Sequence, residues 1–233
     1  ARRLLANVDA STSDRSDVQM KIPVAAYRDP NRWNMEVEGV FRRSPLVVAF
    51  SCDLRQPGDF ETLEIAERPI LVVRGDDGVA RTFLNVCRHR GAKVAQGCGK
   101  ARLFSCPYHA WTYDLAGELA RIPDERSFPD VRGERAALVE LPLCEKHGLV
   151  WVIPTADGST NFDIDPWLGG LADELASFKF ASWSFYDRRL IPETMNWKIV
   201  VENYNECLHC PQIHPELVQV VPLFRFGEVW DEE

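Results

Sequence analysis

No apolar run in this 233-residue chain approaches the ~18 residues that a membrane-spanning helix needs. The longest, such as Leu46-Val47-Val48-Ala49-Phe50, are strand-sized. The start, ARRLLANVDASTSDRSD, has three arginines and a short apolar patch but no sustained hydrophobic region or cleavage signal, so a cytoplasmic protein without a membrane partner is expected. Positive charge is in deficit: 27 Lys+Arg against 35 Asp+Glu give a net charge of -8, which removes the general electrostatic reason to expect nucleic acid. The seven cysteines are an odd set, and in a reducing compartment their thiols stay free for packing or metal. There is no dinucleotide-binding fingerprint, no internal repeat and no low-complexity segment. An initiator Met is also missing, and a processed or partial chain is expected.

With 45% hydrophobic residues the chain can bury a core. Residues 1–44 read as an N-terminal helical segment, in which Pro30 suits a helix start and Trp33, Val37, Val40 and Phe41 follow at helical spacing. Residues 45–155 change texture to short apolar runs parted by turn residues (PLVVAFS, ETLEIAE, PILVVR, the hairpin loop GDDG, VARTFLNV), ending in GLVWVIP; this is antiparallel sheet of a small sandwich or barrel. A polar linker at about 155 to 166 leads to a second region, 166–233. There the spacing of Leu168, Leu171, Leu175 and Phe178 predicts a helix, and SFYDRRLIP a strand. Trp197, Val200, Val201, Tyr204 and Leu208 predict a second helix with Asn196 as its N-cap.

Two loops of the β region each carry one cysteine and one histidine: Cys87-Arg88-His89 and Cys106-Pro107-Tyr108-His109. Zinc modules usually pair their ligands as Cys-x-x-Cys and His-x-x-x-His, whereas this alternation is what a Rieske centre requires, with two histidines replacing two cysteines on one of two irons. Two ferric ions, two sulfides and two thiolates sum to zero charge, and a less negative cluster accepts an electron more readily.

A second constellation lies in ENYNECLHCPQIHP, residues 202–215. Cys207, His209, Cys210 and His214 could form a closed zinc site, or the two histidines alone could serve an iron. On a straight helix Glu206 and His209 share a face while His209 and His214 lie ~140° apart. Pro211 is expected to end the helix just after His209, so that His214 swings back beside it. Two imidazoles and one carboxylate with open positions is the facial arrangement of non-haem ferrous oxygenases.

NVCRHRGA (85–92) and SCPYHAWTYDLAGEL (105–119) resemble the cluster loops of the large subunits of Rieske non-haem iron oxygenases, the ring-hydroxylating dioxygenases and related mono-oxygenases and demethylases. Ala110 stands where that family more often has Gly. The resemblance extends to the N-terminal helix, the PGDF turn at 57–60 and the region from 185 onward. It implies an α+β fold: an all-β Rieske domain plus the start of an antiparallel-sheet and helix (helix-grip-like) catalytic domain. The implied cofactors are a 2Fe-2S Rieske cluster on Cys87, His89, Cys106 and His109, and a mononuclear Fe(II) on His209 and His214.

The family's third iron ligand is an Asp further along than the nineteen residues that follow His214, so the sequence reads as stopping short of it. Glu206 matches the acidic residue that links the iron histidine to His109 of a neighbouring subunit, the alternative being a solvated helix-face acid; Asn203 is expected as a neighbour of the iron, and Tyr204 as either such a neighbour or a core residue. The implied protein is a homotrimer that uses O2, a small organic substrate and a separate NAD(P)H-dependent reductase. A bridging Glu resembles the branch that oxidises betaines and carnitine, quaternary ammonium compounds that aromatic side chains can hold, rather than the arene dioxygenases. A Rieske electron carrier without oxygenase activity and a zinc-stabilised interaction module are the alternatives. Cys207 and Cys210 are then expected to be packing residues.

Overall fold

The computed structural model describes residues 10, 18, 20–131, 137–184, 191, 194–206 and 208–221. Two compact units divide the chain, one of residues 34–188 and the other of residues 1–33 with 189–233. The N-terminal helices are α1 (Ala25–Arg28) and α2 (Pro30–Glu36). Pro30 opens α2 as expected, and the Asp29 carboxylate accepts the Asn31 N–H at 2.9 Å, satisfying a donor the helix leaves over. The chain then makes a wider π-helical turn over Val37–Phe41, where only Val37 is buried.

The larger unit holds eleven described strands: β1 (Leu46–Phe50), β2 (Asp59–Ile65), β3 (Arg68–Arg74), β4 (Ala80–Leu84), β5 (Cys98–Lys100), β6 (Phe104–Ser105), β7 (Thr112–Tyr113), β8 (Leu119–Arg121), β9 (Glu140–Leu141), β10 (Leu143–Lys146) and β11 (Leu149–Val152). They form three antiparallel sheets, ordered β1-β11-β10, β5-β2-β3-β4-β9 and β6-β7-β8. The strand β3 explains its own sequence. Ile70, Leu71, Val72 and Val73 are all 0% exposed, because Leu71 and Val73 point into one core with Phe104, Trp111 and Tyr113, and Ile70 and Val72 into another with Leu54, Val150 and Val152. A strand covered on both faces reads as a continuous apolar run rather than an alternating one.

Arg74 closes this central strand and is itself buried. It satisfies its charge with a two-pronged ion pair to Glu145 on β10, at 2.6 and 2.8 Å, and donates to the Leu54 and Gly78 carbonyls. Burial pushes the Glu145 carboxyl upward, but hydrogen bonds from Arg74 and Ser51 and the Arg74 charge together outweigh it, and the net shift is downward.

After β11 the chain turns back over the β10–β11 hairpin. Helices α3 (Asp165–Leu168) and α4 (Leu171–Ser177) put Ile164, Leu168 and Leu175 against Cys144, Leu149 and Trp151. Phe180 joins them, and the backbone of residues 180–181 lies so close to Gly148 (φ +76) that a Cβ there would meet the Ala181 nitrogen at 2.4 Å. Only glycine fits both that backbone angle and that approach.

The smaller unit contains, among its described residues, α1, most of α2, α5 (Trp197–Tyr204), α6 (Cys210–Ile213) and α7 (Pro215–Val220). Asn196 caps α5 as the sequence predicts, its Oδ1 accepting the Lys198 N–H at 3.0 Å. The helix ends at Tyr204, however, and does not extend to Leu208. The all-β body with attached helices makes an α+β fold. The expected strand at SFYDRRLIP falls largely outside the described residues, as does Cys207. Among the described residues no helix is long and apolar enough to cross a membrane.

Candidate metal centres

The first candidate centre is built on the loops that follow β4 and β6, and it begins with a residue that sequence reasoning passed over. Asn85 is 2% exposed and directly follows β4; its Oδ1 accepts the Val94 and Ala95 N–H groups at 2.9 and 3.1 Å, and its Nδ2 donates to the Ala95 carbonyl at 2.9 Å. All of its capacity but one N–H is used to tie the two ends of the first loop together. An Asn two residues before a Cys-x-His motif was the one signal that could have revealed it.

Both loops share one backbone design. In the first, the Cys87 N–H donates to the Ala92 carbonyl at 2.8 Å and the Gly91 N–H returns to the Cys87 carbonyl at 2.9 Å. In the second, the Cys106 N–H donates to the Trp111 carbonyl at 2.8 Å and the Ala110 N–H returns to the Cys106 carbonyl at 2.9 Å. Each cysteine thus starts a tight loop whose fifth residue takes positive φ, +79° at Gly91 and +55° at Ala110. The histidines sit one position apart within this frame, second after Cys87 and third after Cys106.

Cys87 and Cys106 are each 3% exposed, while His89 is partly exposed and His109 exposed. The two imidazoles lie with ring centroids 4.6 Å apart at 68°. His89 is stacked on buried Trp111 at 4.8 Å and 7°, with Phe128 edge-on to both rings. Burial first, then the nearby His109 and Arg90, lowers the pKa of His89, which keeps it neutral with a lone pair to give. Its Nδ1 is buried with no hydrogen-bond partner, which would be a cost without a ligand. The Cys87 thiol is pushed up by burial; against it stands the Tyr113 hydroxyl, 3.4 Å from Sγ, which also accepts the Arg88 N–H at 3.0 Å. Tyr113 is fully buried, and burial and Cys87 raise its own pKa.

Two buried thiols beneath two paired imidazoles, one with an orphaned nitrogen, fit a binuclear cluster. Among the described residues no three His, Cys, Asp or Glu side chains form a group able to hold one ion. A binuclear cluster does not ask for that, since its protein donors are split two to each metal.

The second candidate centre follows α5. Glu206 and His209 do meet, with Oε1 2.6 Å from Nδ1, although not on a helix face, because α5 has already ended. Glu206 Oε2 accepts the Leu208 N–H at 2.5 Å. Hydrogen bonding from His209 is the main cause that lowers the Glu206 pKa. The His209 and His214 rings lie 5.4 Å apart at 77°. The route differs from the expected one: Pro211 does not terminate a helix but sits in the first turn of α6, where its missing N–H costs nothing. His209 precedes α6 and His214 follows it, so one short helical turn separates the two rings. Cys210 is buried, as a packing residue should be; Asn203 and Tyr204 are exposed, Tyr204 at 84%.

The three-sheet body with its two Cys/His loops, and the paired histidines after α5, point to one class: Rieske iron-sulfur proteins that carry an oxygenase catalytic domain. Residues 44–139 match the model of the Rieske [2Fe-2S] domain, and residues 180–231 match that of the catalytic domain of the ring hydroxylating alpha subunit. The chain belongs to the family of Rieske oxygenase alpha subunits.

It is 36% identical to the glycine betaine monooxygenase oxygenase subunit of Chromohalobacter salexigens over 206 residues, covering 84% of this chain and 44% of that protein. It is also 36% identical to the carnitine monooxygenase oxygenase subunit of Escherichia coli K12 over 210 residues, covering 88% and 55%. The crystal structure of the quaternary ammonium Rieske monooxygenase CntA with γ-butyrobetaine superposes with a TM-score of 0.77 at 33% identity, over 85% of this chain and 57% of that one. A naphthalene 1,2-dioxygenase at 24% identity and TM-score 0.70 shares the fold. The chain spans about half the length of the curated relatives it matches.

Proposed function

We propose that this chain belongs to the oxygenase component of a multicomponent Rieske mono-oxygenase, acting on a small quaternary ammonium compound with O2 and electrons from NAD(P)H delivered by a separate reductase. The observation that carries the reading is the presence in one chain of both donor sets, Cys87/Cys106 with His89/His109, and His209/His214 with Glu206. The substrate class rests on what the glycine betaine and carnitine mono-oxygenase subunits act on, together with a Glu at the bridging position.

When bound, a cluster of this kind stores one electron and a ferrous ion of this kind activates O2. Cys87 and Cys106 would hold the inner iron, and His89 and His109 the outer one. His109 is the exposed member and faces solvent, where another subunit can reach it. His209 donates its Nδ1–H to Glu206, which fixes the tautomer and leaves Nε2 for the metal beside His214. A carboxylate has about four acceptor sites, and two on Glu206 are used within the chain, so it retains capacity for a neighbouring copy's His109. That bridge calls for a ring of subunits, with a trimer as the assembly proposed. Asn203, exposed and three residues before Glu206, is proposed as a neighbour of the iron or its substrate.

The test is metal and acid-labile sulfide analysis of anaerobically purified protein, with electron paramagnetic resonance after reduction and a turnover screen. Roughly three irons per chain, a Rieske signal and NADH-dependent turnover of betaines or carnitine are expected. Two irons and no third would mean an electron carrier, a colourless zinc protein without sulfide would sink the iron reading, and turnover of arenes alone would overturn the substrate class.

A further inference from the structure

Tyr27, in the N-terminal segment, reaches both ends of the helix that leads into the second metal centre. Its backbone carbonyl accepts from Asn196 Nδ2 at 3.1 Å, and its hydroxyl donates to Glu202 Oε1 at 2.8 Å, across a sequence separation of 175 residues. Asn196 is the N-cap of α5 and Glu202 lies in its last turn, four residues before Glu206. The Asn196 amide is thereby used from both sides, its oxygen capping the helix and its nitrogen holding Tyr27. The Lys198 ammonium adds a third fastening, 6.0 Å from the Tyr27 ring centroid and 5.2 Å from that of Trp197.

The helix needs such fastening. It is eight residues long, and among the described residues none of its side chains is buried. An isolated helix shorter than ~12–15 residues is marginal in water, so α5 cannot rest on its own propensity. Between it and the N-terminal segment lies an open cleft of about 590 Å³ lined by Tyr27, Pro30, Trp33, Asn196, Trp197 and Val200.

We infer that Tyr27 is a positioning residue for the mononuclear centre: by clasping Asn196 and Glu202 it holds α5 in register and thereby aims Glu206 and His209. The inference rests on the proposed function in taking His209 and His214 as metal ligands. It adds that the N-terminal segment is part of the machinery that sets their geometry.

The experiment uses the holoprotein and four variants: Tyr27→Phe, Glu202→Ala, Glu202→Gln and the double variant Y27F/E202A. The readouts are hydrogen exchange of the 200–206 amides and, after replacement of the mononuclear iron by Co(II), the visible Co(II) band. Tyr27→Phe should speed exchange about fivefold, as expected for one net hydrogen bond, and should shift the Co(II) band. Glu202→Gln keeps an acceptor and should behave as the parent, while Y27F/E202A should be no worse than either single variant. Parental exchange in Tyr27→Phe, effects that multiply in the double variant, or faster exchange with an unchanged Co(II) band would each overturn the positioning role. If the parent protein has no Co(II) band that His209→Ala abolishes, the metal reading itself fails, and the role with it; that outcome is separate because the exchange data do not depend on metal.

Discussion

Gly91 and Ala110 occupy the same place in the two cluster loops: each returns its N–H to the carbonyl of the loop's cysteine at 2.9 Å, and each does so in the left-handed region of backbone space. Glycine adopts that conformation freely, whereas a residue with a Cβ is strained there by about 1 kcal/mol. At Gly91 an added Cβ would meet nothing within 4 Å, so the cost of substitution is conformational alone. Gly91→Ala should therefore destabilise the fold by about 1 kcal/mol. Ala110→Gly should stabilise it by about 0.5 kcal/mol, less because glycine also gains freedom in the unfolded chain. Urea midpoints, with unchanged slopes, measure both.

Tyr113→Phe removes the hydroxyl that lies 3.4 Å from Cys87 Sγ and that also accepts the Arg88 N–H at 3.0 Å. A hydrogen bond to a ligating sulfur favours the reduced cluster, so its loss should lower the reduction potential. A bond of about 1 kcal/mol corresponds to ~40 mV for a one-electron couple. Redox titration followed by the Rieske signal reads the shift, and an unchanged potential would remove Tyr113 from the cluster's environment.

Glu206→Gln keeps an oxygen that can accept the His209 Nδ1–H but offers an N–H where a neighbouring copy would need an acceptor. Both metal centres should remain occupied, while reoxidation of the reduced cluster by O2 in the presence of substrate slows by a factor of about 10–100, the usual range for such supporting carboxylates. Stopped-flow absorbance of the reduced cluster measures it; parental single-turnover rates in this variant would refute the bridge.

Arg74→Met leaves Glu145 partly buried without its partner and should cost about 3 kcal/mol at neutral pH. The Glu145 carboxyl is held below its ordinary value of 4.5 by Arg74. The pair's contribution is therefore complete above the unfolded value and is lost as pH falls through the depressed folded value. Urea midpoints of the parent and of Glu145→Gln should differ at neutral pH and converge in acid.

Much of the fold is legible from local patterns. The run Ile70-Leu71-Val72-Val73 marks a strand covered on both faces, GDDG marks the turn between β3 and β4, Pro30 marks the start of α2, and Asn196 marks the cap of α5. In each case the cause lies within a few residues of its effect. The route from Glu206 to His214 was not legible. The sequence pattern carries a helix on to Leu208, yet α5 stops at Tyr204, and Pro211 opens a new helix instead of closing the old one. Proline is tolerated in a first turn and excluded from an interior, and the residue pattern alone does not say which of the two a given proline occupies.

The sequence by itself determined the chemistry on offer: two Cys/His loops, a pair of histidines with a carboxylate three residues before the first, and strands of the right length to carry them. Donor type and spacing are local properties, and local properties survive without coordinates. Only the tertiary structure decided what surrounds those donors. It brought Tyr113 to Cys87, stacked Trp111 on His89, tied the first loop shut through Asn85, and set Tyr27 against Asn196 and Glu202. The Tyr27 contacts join residues far apart along the chain, and even the nearer ones depend on how the loops fold back, which no spacing rule encodes.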